Sequence, residues 1–116
     1  MIGGHALFVC PENGPSLAED RNLSDLIGEL FGSGAKIVAV PLARLGPDFL
    51  RLSSGVAGQV LQKLVNYHFQ IAVVGDVSAA VAASGPLRDF VRESNRGTTV
   101  WFVPDLATLE AKLAAP

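Results

Sequence analysis

A single cysteine, Cys10, and two histidines, His5 and His68, are the only Cys/His-type metal ligands in this 116-residue chain. No pair has ligand spacing such as Cys-x-x-Cys, and a lone cysteine cannot close an internal disulfide. The expectation is no metal, no cofactor and a reducing compartment. Glycine-rich phosphate loops are missing as well. Gly75 stands alone, and Gly55 with Gly58 precedes no Lys-Ser or Lys-Thr pair, so there is no nucleotide motif. Nine Lys and Arg against eleven Asp and Glu give a net charge of −2, spread along the chain, which argues against a nucleic-acid partner. Arg88, Arg92 and Arg96 would line up on a helix, but Asp89 and Glu93 alternate with them as on a solvated face. No apolar run approaches the ~18 residues of a membrane-spanning helix. The first residues, Met1 to His5, lack the basic start and long apolar segment of a secretory signal. A cytoplasmic chain with no membrane partner is expected.

What the chain has in quantity is apolar surface: 49% hydrophobic residues against 17% charged, with mean hydropathy +0.37. At this length one domain, residues 1–116, can bury a sizeable core without disulfides or metal. The apolar surplus points to a protein partner or self-association, with a homodimer as the simplest form.

The clearest change of hydrophobic period falls in residues 52–76. Val56, Ala57, Val60, Leu61, Leu64 and Val65 recur at helical spacing, with Gln59, Gln62, Lys63 and Asn66 opposite. After Tyr67 and His68 the run from Phe69 to Val74 is short, apolar and partly β-branched, as in a strand buried on both faces. Three further strands are expected over residues 5–10, 36–40 and 98–103. A helix with a stripe of Leu23, Leu26, Ile27, Leu30 and Phe31 follows the first, with Ser16 and Glu19 as a capping box, or Asn22 or Ser24 as the cap. Residues 41–51, with Leu42, Leu45, Phe49 and Leu50, are too apolar for a free loop and should pack over the core. Residues 77–83 suggest a short helical turn. Ser84-Gly85-Pro86 starts a clearer helix, and Pro104-Asp105 starts the last one, with Leu106, Leu109 and Leu113 inward. Four strands alternating with about four helices give an α/β fold with a mostly parallel sheet.

Three groups of residues are candidate sites. Asp76 lies just past the carboxyl end of a presumed central strand, where open α/β sheets place ligands; equally, it could accept hydrogen bonds from the N–H groups of the Val77-Ser78 turn. With Asn66, Tyr67, Ser78, Glu93 and Asn95 it would make a small-molecule pocket, Asp76 and Glu93 serving as acid and base if they converge. Ser54 opens the helix of residues 56–66, where a hydroxyl caps free N–H groups and a phosphate would meet the same donors. Gln59, Gln62 and Lys63 are the candidate contact surface of that helix. His68 would serve the helix's C-terminal end.

Residues 48–67, continuing through Ile71 to Asp76, together with Leu87 to Gly97, resemble the bacterial domain-of-unknown-function family DUF4180. That resemblance covers essentially the whole chain and implies no assigned activity. A weaker one is to STAS domains, the fold of anti-sigma factor antagonists, whose strand and helix order is similar to residues 36–114. It implies a STAS-like α/β sandwich, while the continuous apolar strands keep a flavodoxin-like doubly wound sheet as the alternative. It also implies a non-catalytic interaction or regulatory role in which Ser54 matches a phosphorylated serine. Leu52 stands where the antagonists carry aspartate.

Overall fold

The computed structural model describes residues 6–114. Four strands, β1 (Leu7–Val9), β2 (Ile37–Pro41), β3 (Gln70–Val74) and β4 (Val100–Val103), pair in parallel in the order β1-β2-β3-β4. Five helices connect and follow them: α1 (Asp20–Ser33), α2 (Val56–Asn66), α3 (Ser78–Ala83), α4 (Gly85–Arg96) and α5 (Leu106–Ala114). The expected α/β class forms. The sheet is parallel throughout, and the suggested turn at 77–83 is a true short helix. The first strand is shorter than the expected 5–10, and His5 lies outside the described residues.

Each strand is added beside its predecessor in one direction, so right-handed crossovers place α1, α2 and α4 on one face. The doubly wound alternative needs a reversal of strand order, which this sheet lacks. Strand alternation divides the interior accordingly. Val38, Val40, Ile71, Val73 and Phe102 face α1 and α2 in the larger cluster, while Ile37, Ala39, Ala72 and Val103 face Leu109 and Leu113 of α5. Residues 42–50 do close over the core: Leu45 and Phe49 are each 1% exposed.

Two apolar residues depart from expectation. Phe31 sits about 100° of helical rotation from Leu30, which turns it off the stripe of Leu23, Leu26, Ile27 and Leu30 and leaves it 60% exposed. Leu106, the first residue of α5, is 38% exposed, while Leu109 and Leu113 are buried. The cap of α1 differs as well. Its first turn follows Glu19, which makes no side-chain cap bond. Ser16 instead accepts from the Ala18 N–H at 3.2 Å, one turn too early to cap the helix.

The end of α2 has the full Schellman pattern. The Phe69 N–H bonds the Leu64 carbonyl at 3.2 Å and the His68 N–H bonds that of Val65 at 2.8 Å. His68 occupies the left-handed position at φ +67°, where glycine is usual. Its backbone, then, is what ends the helix.

Candidate functional site

The carboxyl end of the sheet gathers three concavities. One, of about 320 Å³, adjoins Asp76 and is lined by Asp76, Ser78 and Asn95 among others. These three expected residues are therefore brought together. Each already has a local task. The Asp76 carboxylate accepts from the Ser78 N–H at 2.9 Å, and hydrogen bonds from the Ser78 side chain and backbone hold its pKa below the ordinary aspartate value. Asn95 Oδ1 accepts from the Phe102 N–H at 2.7 Å and so pins α4 to β4. The other three residues do not join them. Glu93 lies exposed on α4, 3.5 Å from Arg96. Asn66 accepts from Gln62 at 2.8 Å, and Tyr67 follows it at the far end of α2, beside the amino ends of the strands. The periodicity of α2 carries Asn66 and Tyr67 away from the strand ends where Asp76 lies.

Ser54 ends a 3₁₀ turn, Leu52–Ser54, and α2 then starts from Gly55 in the left-handed conformation. Its Oγ lies 2.7 Å from the Arg51 carbonyl and 2.8 Å from that of Asp48, and it accepts from the Val56 N–H at 3.2 Å. One proton shared between two carbonyls, with a lone pair on an amide, uses the hydroxyl in holding the turn. Gln59 and Gln62 are exposed on α2. Lys63 is less free: its Nζ bonds Asp20 at 2.6 Å and Ser24 at 2.7 Å, tying α2 to α1.

Two features lay outside the expected sites. The exposed Phe31 ring meets Tyr67 edge-on at 5.7 Å and Phe69 at 5.4 Å, so the outer seam of α1 and α2 ends in a stacked aromatic ledge. The sequence signal was the place of Phe31 at the margin of its stripe. The second is Arg44, the one charge in the apolar stretch of residues 41–47. Its Nε donates to the Pro15 carbonyl at 3.0 Å and its Nη1 to that of Pro11 at 2.9 Å. Cys10 is buried beneath it, and desolvation pushes its thiol pKa up to about 11, opposed by Arg44 and reinforced by Glu29. Such a thiol is not a nucleophile at neutral pH. Among the described residues, no group of three His, Cys, Asp or Glu side chains could hold a metal ion, and no helix is long and apolar enough to cross a membrane.

The profile of the domain of unknown function DUF4180 matches residues 2–113. The chain belongs to this family. No curated protein and no solved structure shows significant similarity to it. In this DUF4180 domain the match runs across the aromatic ledge, Ser54 and Asp76 alike.

Proposed function

We propose that this DUF4180 domain is a non-catalytic interaction domain that pairs with a second copy of itself through the outer face of α1 and α2. The observation that carries the reading is the ledge: Phe31 and Tyr67 are 60% and 46% exposed, yet held in a fixed edge-on stack. Aromatic residues of this kind are enriched in the cores of protein interfaces, where a rigid ring brings much area at little entropy. A second copy is favoured over another partner because a protruding ring and a row of open glycines stand on the same face. Gly28 and Gly32 lie beside Phe31 on the exposed side of α1, with nothing within 4 Å of where a Cβ would stand. A two-fold axis would set each Phe31 into the other copy's glycine notch. The apolar surplus of the composition supports the same reading.

A regulatory role, a STAS-like relationship and a cytoplasmic location belong to this proposal. The strand and helix order supports the second, and the buried free thiol of Cys10 suits the third. Phosphorylation of Ser54 has less support, since its hydroxyl would have to leave the turn it holds. A second reading, a small-ligand site, is favoured by the cavity that Asp76, Ser78 and Asn95 line together. Sedimentation equilibrium at micromolar concentration tests the main reading. A dimer is expected, converted to a folded monomer by Phe31→Asp. A wild-type chain that stays monomeric, or a dimer indifferent to Phe31→Asp, overturns it.

A further inference from the structure

The geometry points to a binding site for a small zwitterion, of the α-amino acid type, in the cavity between the β1–α1 loop and α1. This cavity holds about 300 Å³, at the small end of the range for ligand sites, about 300–1,000 Å³. It lies at the carboxyl end of β1, where parallel sheets present ligands. Its walls carry opposite charges: the guanidinium of Arg44 on one side, and Asp25 and Glu29 of α1 on the other. Asn13 and Asn22 add neutral polar groups between them.

Arg44 is held ready. Two carbonyls of the loop fix its Nε and Nη1, and a Cβ at Gly14 would come within 2.7 Å of its Cζ, so the backbone packs directly on the guanidinium. Its remaining nitrogen, Nη2, makes no hydrogen bond among the described residues and can receive a carboxylate. The acids are placed against their own interest. Asp25 and Glu29 stand four residues apart on one helix, an arrangement that weakens an isolated helix by like-charge repulsion. Among the described residues, no cation lies within 4.0 Å of either. An ammonium group would relieve that repulsion while the ligand's carboxylate meets Arg44. Cys10, Glu29 and Arg44 all line this one cavity.

The test is a heteronuclear NMR titration of the full chain with free α-amino acids, one at a time, with acetate and ethylamine as half-ligands. At least one amino acid should shift the amides of Glu12, Asn13 and Gly14 and of α1 in a saturable way, with neither half-ligand doing so at the same concentration. Glu29→Gln, an exposed helix substitution whose fold is checked by circular dichroism, should weaken that binding about tenfold. No saturable shift at millimolar concentration for any amino acid overturns the proposal. So does an equal response to acetate alone, or unchanged binding by Glu29→Gln.

Discussion

The two faces of the sheet are built on different scales. On one, α1, α2 and residues 42–50 enclose a cluster of eighteen buried residues among those described, with Phe49, Leu30 and Leu64 at its centre and Phe90 and Val91 of α4 packed against it. On the other, α5 alone lies over a cluster of six, and two of the four strand residues it meets, Ala39 and Ala72, are small, beside Ile37 and Val103. Small residues let the helix come close. Trp101 closes the edge of this face, with Lys112 Nζ 4.5 Å from its ring centroid and its indole N–H donating to the Gly97 carbonyl at 2.8 Å. Burial stabilises roughly in proportion to apolar area. The larger cluster should therefore set global stability, while the smaller one sets whether α5 stays docked.

Truncation on each face separates these roles. Phe49→Ala removes a ring 1% exposed that meets Phe102 edge-on at 6.5 Å, and should cost about 3–5 kcal/mol in denaturant unfolding. Leu109→Ala should cost about 2–5 kcal/mol at its site. The difference will show in hydrogen exchange. After Leu109→Ala the α5 amides should exchange through a local opening while those of β2 and β3 still require global unfolding. Uniform loss of protection in both variants would make the two faces one cooperative unit and end the comparison.

Overpacking probes the thin face from below. Ala72 is 0% exposed, and its neighbour across the β2–β3 pair is Ala39. Ala72→Leu should lift α5 and cost about 1–3 kcal/mol. The loss should be read in the fluorescence of Trp101, the single tryptophan, which lies on that face. A variant with full stability and unchanged fluorescence would mean that α5 does not sit tightly on the alanines.

How much of this was legible in the sequence follows the same division. The crowded face was plain, because Val56, Ala57, Val60, Leu61 and Leu64 repeat at helical spacing and Ile71 to Val73 form a continuous apolar run. Strand order and the side taken by each helix were not, since they are settled by crossover handedness and packing between residues far apart in the chain. Site residues fared likewise. Asp76, Ser78 and Asn95 share a cavity because two neighbouring strand ends bring them there. Asn66 and Tyr67 do not join them, because α2 carries them to the other end of the sheet. Arg44 gives no local sequence signal, because its partners, Pro11 and Pro15, lie about thirty residues back along the chain.

The smallest expected effect concerns how the outer helices begin. α4 starts from Ser84, whose Oγ accepts the Leu87 N–H at 3.3 Å and has no charge to lose. α5 starts from Asp105, whose carboxylate accepts from the Thr108 N–H and hydroxyl, both at 2.7 Å. Those bonds, from the side chain first and the backbone second, hold the Asp105 pKa below the ordinary aspartate value. A carboxyl group with a depressed folded pKa stabilises fully above its unfolded pKa, and that contribution fades as pH falls through the folded one. Acidification through the aspartate range should therefore lower the amide protection at the start of α5, measured against the intrinsic exchange rate at each pH, and leave that at the start of α4 unchanged. Asp105→Asn supplies an equally good cap that does not titrate, so it should remove the acid response of α5 while leaving its exchange at neutral pH nearly as before. If α5 still loosens in acid with asparagine at 105, the response comes from elsewhere on the thin face and not from its cap.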